Sequence, residues 1–248
     1  MTGRALREAA YEANVAIQER GLVLLTWGNA SVCDRARGLL AIKPSGVAYR
    51  QLAPANMVLV ELESGRVVDS GKWRPSSDTP THRALYLAFD GVGAIVHTHS
   101  RHATAWAQAG RDLPCFGTTH ADYFHGAVPC TGQMTTAEIL EAEGYEYNTG
   151  LVITREFKAR RLDPLHVPGV LVRGHAPFAW GKDATAAVET AVVLEAVAEM
   201  ALETLAVNPS AQPISAPLLD KHFLRKHGAH AYYGQPSPAP TAKRKRRA

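Results

Sequence analysis

Several features are scarce or missing in this chain, and each absence removes a class of protein. Cysteine occurs three times in 248 residues, at Cys33, Cys115 and Cys130, an odd number with no C-x-x-C spacing. That argues against a disulfide framework and predicts reduced thiols in a cytoplasmic protein. No apolar run approaches the ~20 residues that a membrane-spanning helix needs. The opening stretch MTGRALREAAYEANVAIQERG carries a charge every few residues and no apolar h-region, so no secretory signal is expected there. Neither an internal repeat nor an interior linker is visible.

A basic body is missing too. The formal charge is +4, but Lys243, Arg244, Lys245, Arg246 and Arg247 supply more than all of it. The rest of the chain is close to neutral and gives no electrostatic case for nucleic-acid binding by the fold. Residues 236–248, PSPAPTA followed by KRKRRA, are Pro-rich and then basic, which predicts a disordered tail. A nucleic-acid or targeting role for KRKRR is the alternative, and deletion of Ser237–Ala248 separates the two.

What is present reads as one α/β domain up to about Gly234. Leu6, Ala9, Ala10, Ala13 and Ile17 give an amphipathic helix over 4–20, ended by Gly21. LVLLTWGNAS predicts a buried strand breaking into a Gly-Asn loop, and LLAIKPSG a short strand stopped by Pro44 and Gly46. MVLVELESGRVVDS has the pattern of a hairpin turning at Ser64-Gly65. SSDTPTHRALYLAFD opens with capping chemistry and runs helical to Asp90. GAIVHTH predicts a strand, RHATAWAQAG a helix, and GVLVRGHAPFAWG a last strand running into a loop. Two helical segments are expected between Thr135 and Arg161, a long one over DATAAVETAVVLEAVAEMALETLAV, and a final one over about Ile214–His227.

The chemistry concentrates in IVHTHSRHATAWAQAG, where His97, His99 and His102 fall within six residues. Side chains alternate along a strand, so His97 and His99 share a face with Cα atoms about 7 Å apart. Two imidazoles at the end of a buried strand suit a metal clamp; a hydrogen-bonded, half-buried pair is the alternative. His175, just past another apolar run, and Asp78, at a helix start, are further ligand candidates, Asp78 having an N-cap as its other role. Together they would make a His₃Asp set suited to Zn²⁺ or a similar divalent ion. His82 and His102 read as helix-surface or supporting residues, and His120 and His125 as loop residues open to either role.

LTWGNAS, IKPSGV, PSSDTPTHR, IVHTHSRHAT, GTTHADYF, PGVLV and LLDKHFLRKHGA, in this order, resemble the class II aldolase/epimerase family, in particular its L-ribulose-5-phosphate 4-epimerases. The resemblance covers residues 1–235, fits poorly around Gly144–Val167, and leaves the tail at 236–248 outside. It implies a three-layer α/β/α sandwich around a largely antiparallel sheet, and a homotetramer with sites at subunit interfaces. It implies Zn²⁺, replaceable by Mn²⁺ or Co²⁺, on Asp78, His97, His99 and His175. Asp122 and Tyr233 would be the acid/base pair, with Thr118, His222 and Arg225 in support.

The turns Gly28-Asn29, Ser45-Gly46 and Ser76-Ser77 offer exposed amides to a phosphate, and Lys43 a full charge. Each turn alone is a weak signal; family position makes them a phosphate pocket. The implied reaction converts L-ribulose 5-phosphate to D-xylulose 5-phosphate by opening and re-forming the C3–C4 bond. Its metabolic setting is pentose phosphate chemistry, with arabinose catabolism one source of substrate. A fuculose- or rhamnulose-phosphate aldolase is the alternative; there a glutamate stands where this chain has Asp78.

Overall fold

A computed structural model of the chain describes residues 2–69, 71–141 and 144–234. The proline-rich basic tail therefore lies outside the described residues. The frame is one seven-stranded sheet. Its strands are β1 (Asn29–Asp34), β2 (Leu39–Ile42), β3 (Val58–Glu61), β4 (Val67–Asp69), β5 (Ala94–His97), β6 (Gly169–Leu171) and β7 (Pro177–Gly181). They lie in the order β4-β3-β2-β1-β5-β7-β6, and each paired neighbour is antiparallel.

The central strands β1, β5 and β7 are buried along nearly their whole length; β5 and β7 are largely apolar, while the buried Ser31 of β1 is satisfied by His82 and Tyr86. One face is covered by α1 (Gly3–Glu19) and α7 (Ala184–Val207). Gly181 shows how tightly: a Cβ there would meet the Ala187 backbone nitrogen at 2.6 Å. On the other face, Phe178 and Trp180 point at α2 (Thr79–Ala88) and α6 (Tyr145–Arg160). Trp180 packs at 5.2 Å from Phe89 and 5.4 Å from Phe157, ring centre to ring centre. Truncating so large a buried side chain costs about 3–5 kcal/mol. The result is an α/β/α sandwich with its core on both faces of the sheet. The shorter helices α3 (Arg101–Ala109), α4 (Thr118–Ala121), α5 (Thr136–Leu140) and α8 (Ala216–His227) complete it.

Two expectations are corrected and one open reading is narrowed. The run LVLLTWG is not a strand: β1 begins only at Asn29, while Leu24 and Leu25 are exposed and Leu25 takes a positive φ of 53°. The apolar run before Asn29 forms turns instead, because α1 must reverse into the sheet within a few residues. GVLVRGHAPFAWG is two strands, not one; Gly174, at φ 70°, lets β6 turn back into β7 and puts His175 in the turn. Of the two roles open to His82, helix surface or support, the structure excludes the surface one. His82 is fully buried, with Nδ1 2.7 Å from Ser31 Oγ, because α2 presents that side to the sheet.

Candidate active site

The sheet brings three imidazoles together. β5 delivers His97 at its last position, beside Asn29 of β1 and Phe178 of β7. His97 stacks on Phe178 at 4.1 Å and donates from Nδ1 to the Pro177 carbonyl at 3.0 Å, which turns Nε2 away as a free acceptor. His99 follows just beyond the strand, and His175 comes from the β6–β7 turn. The ring centres form a near-equilateral triangle of 4.9–5.0 Å sides. One donor atom from each lies within 4.8 Å of the others.

For His99 and His175, burial favours the neutral form, which has a lone pair to donate. Burial, then the neighbouring imidazoles, pushes His175 down to about 4; the same two causes lower His99. His175 Nδ1 is buried without a hydrogen-bond partner. Three imidazoles converging on one point, one with an orphaned nitrogen, fit a divalent cation with an open coordination position.

Asp78 shares the cavity but stands outside that three-histidine group. It occupies the N-cap position of α2 yet makes no capping bond; its Oδ2 instead accepts from Asn29 Nδ2 at 2.6 Å. Burial alone would push its carboxyl up, but His97, His82 and the Asn29 bond hold it below the ordinary carboxylate range. Around it runs a cavity of about 660 Å³. Gly28, Asn29, Lys43, Ser45, Gly46, Ser76 and Ser77 all line it, together with Asp78, His97, His99 and His175. Lys43 is almost wholly buried; burial pushes its amine down to about 8 against the pull of Asp78, and Nζ donates to the Thr26 carbonyl at 3.2 Å. Trp27, Tyr145 and Glu146 are also in the wall, and the sequence reading passed over them. Nothing in the motif spacing points to Tyr145 or Glu146, since α6 reaches the cavity only by packing on α2.

Asp122 and its expected partners form a second cluster, none of which lines that cavity. Arg225 grips Asp122 with both ends of its guanidinium, Nη2 to Oδ2 at 2.7 Å and Nε to Oδ1 at 3.1 Å. His222 Nδ1 lies 3.1 Å from the same Oδ1, and Lys226 Nζ 3.7 Å from Oδ2. Burial pushes this carboxyl up, but Arg225, His222 and Lys226 outweigh it and hold it below its usual value. Tyr233 joins through its ring, 4.7 Å from Arg225 and 4.6 Å from Lys226, while its amide donates to the Arg225 carbonyl. Thr118 opens α4, and its carbonyl accepts the Asp122 amide at 2.9 Å. His120 and His125 belong to neither cluster. His120 is buried against the Gly126 carbonyl, and His125 pairs with Asp220.

Comparison with known proteins fits this geometry. The family model for the Class II Aldolase and Adducin N-terminal domain matches residues 8–202. L-ribulose-5-phosphate 4-epimerase UlaF of Salmonella paratyphi B is 53% identical over 230 residues, covering 93% of this chain and 98% of its own. The protein of the same name from Salmonella typhi matches to the same extent. Among solved structures, an L-fuculose 1-phosphate aldolase superposes with a TM-score of 0.74 at 21% identity, over 90% of this chain and 96% of its own. The L-fuculose-1-phosphate aldolase of Thermus thermophilus gives 0.64 at 23% identity, over 86% and 100%. Those structures share the fold. By the family match and the depth of the sequence likeness, this chain belongs to the class II aldolase and adducin N-terminal domain family.

Proposed function

We infer that the protein is an L-ribulose-5-phosphate 4-epimerase, forming D-xylulose 5-phosphate by cleaving and re-forming the C3–C4 bond. The observation that carries this reading is a single cavity in which three converging imidazoles face a rim suited to phosphate. The 53% identity to curated epimerases, against 21% to an aldolase, favours epimerisation over net cleavage.

C4 bears no acidic hydrogen, so inversion by direct deprotonation would leave an unstabilised carbanion. Breaking the C3–C4 bond avoids that. His97, His99 and His175, with Asp78 beside them, would hold one Zn²⁺ per subunit, for which Mn²⁺ or Co²⁺ can substitute. When bound, the ion supplies Lewis acidity for the negative charge that cleavage leaves on the three-carbon fragment. Lys43 and the Gly28-Asn29, Ser45-Gly46 and Ser76-Ser77 turns hold the phosphate while the aldehyde turns about its C4–C5 bond. The C4 oxygen points in opposite directions before and after, so two proton-handling groups are needed. Asp122 and Tyr233 fill those roles, one for each epimer. Arg225 and His222 orient Asp122, and Thr118 supports the turn that carries it.

Asp122 and Tyr233 do not line the cavity of their own chain. The reading therefore places the working site between subunits of a homotetramer, with the cavity from one chain and the Asp122 cluster from its neighbour. The test is an assay on metal-quantified protein with L-ribulose 5-phosphate, following D-xylulose 5-phosphate while trapping free aldehyde. Product without trapped glycolaldehyde phosphate supports the epimerase. Released fragments, or cleavage of a deoxysugar 1-phosphate alone, would make the protein an aldolase.

A further inference from the structure

The third histidine of the His97–His102 run, His102, turns away from the cavity and toward α7. Its Nδ1 lies 2.8 Å from Glu195 Oε1, and its Nε2 3.7 Å from Glu199 Oε1. The same Glu195 also serves the backbone. Oε1 accepts the His102 amide at 2.8 Å, and Oε2 the Ala103 amide at 2.9 Å. These are first-turn donors of α3, which a residue at the N-cap normally satisfies. Here Ser100 holds the N-cap position and makes no such bond. A carboxylate from a distant helix caps α3 in its place. Burial pushes the Glu195 carboxyl up, but the two amides, with Ser100 and His102, hold it below its ordinary value.

The consequence falls on His99. β5 ends at His97, so the sheet ladder does not place His99. Among the described residues no hydrogen bond holds its ring; its neighbours are the rings of Trp27, His97 and His175. Its position is set by the backbone on either side. On the amino side that backbone is anchored by β5. On the carboxyl side the nearest anchor is Glu195, which holds the Ser100 side chain and the amides of residues 102 and 103. Because α7 packs directly on β7, this anchor refers His99 to the strand whose Phe178 stacks on His97.

We propose that Glu195 is a positioning residue for His99: by capping α3 from α7 it fixes the path of the chain after His99, and so the place where that imidazole meets His97 and His175. The proposal rests on reading the three imidazoles as a cation site. It assigns the bonds from the His102 and Ala103 amides to Glu195 a role in cation affinity and not only in helix stability.

The test is a competition titration of the metal-free full chain with Zn²⁺ against a chromophoric chelator. Glu195→Ala is expected to bind Zn²⁺ about 10–100-fold more weakly, the usual effect of removing an outer support of a metal ligand. Glu195→Gln, which keeps one acceptor oxygen, should fall between. His102→Ala retains both backbone bonds and should bind like the wild type. Val188→Ala, a cavity on the same helix away from α3, should lower the melting temperature and leave affinity unchanged. Unchanged affinity in Glu195→Ala overturns the proposal, and so does an equal loss in Val188→Ala, which would make the effect one of general loosening. A wild-type chain that takes up no Zn²⁺ would sink the cation reading and the positioning role with it.

Discussion

Asp122 carries the sharpest burden of any single residue. Its carboxylate accepts three bonds from Arg225 and one contact from His222, an arrangement that keeps it ionised and fixed in direction. Asp122→Asn preserves the size but not the basicity. It should lower epimerase turnover by about 10²–10⁴-fold, with metal content unchanged by elemental analysis; full turnover would remove Asp122 from the mechanism. His120 tests the electrostatics elsewhere. Burial, only partly opposed by its bond to the Gly126 carbonyl, pushes it down to about 4. In the unfolded chain a histidine titrates near ~6.5, so the unfolded state binds the extra proton first as pH falls. This group therefore costs nothing above pH ~6.5 and removes stability progressively between ~6.5 and ~4, on the order of 3 kcal/mol in all. Denaturant melts of His120→Gln should show a shallower loss of stability across that window than the wild type does.

At the scale of elements, the junction between α1 and β1 is the most constrained. Gly28 has a φ of 73°, and a Cβ there would meet the His97 carbonyl oxygen at 2.7 Å and Val23 Cγ1 at 2.9 Å. Gly28→Ala must push this turn off the end of β5, displacing Asn29 and the cavity rim. We expect a loss of about 1–3 kcal/mol in stability and a fall of tenfold or more in kcat/KM, on the order of what a small misplacement costs; wild-type kinetics would show that the turn is not part of the working site. This junction is also where the sequence was least legible. Leu22–Leu25 has the composition of a buried strand, but the chain reversal before Asn29 is set by tertiary packing that no local pattern records. The hairpin at Ser64-Gly65, α3 and α7 were readable, because turn residues and helical periodicity act locally. The pairing of His97 with His99 was legible only in part: alternation suggested a shared face, but β5 stops at His97 and the ladder does not place His99. Tyr145 and Glu146 had no such signal, since only the packing of α6 on α2 brings them to the cavity.

At the scale of the whole molecule, the chain presents two polar clusters with complementary chemistry. One is the cavity with its imidazoles and phosphate-suited turns, and the other is the group of Asp122 at the end of α4, Arg225 on α8 and Tyr233 in the segment after α8. Beside the cavity, Leu24, Leu25 and Trp27 are exposed apolar side chains on one loop, and Tyr233 is more than half exposed. Such surfaces are costly to leave in water and suit burial against a second copy. The central claim is that a neighbour completes each cavity, and subunit complementation tests it most directly. His175→Ala damages only the cavity half and Asp122→Asn only the other, so each should be inactive alone. Dissociated, mixed in equal amounts and reassociated, they should recover about a quarter of wild-type activity, the fraction of interfaces joining two intact halves in random closed oligomers. No recovery in verified mixed oligomers would contradict the claim and require both clusters to serve one site within a single chain.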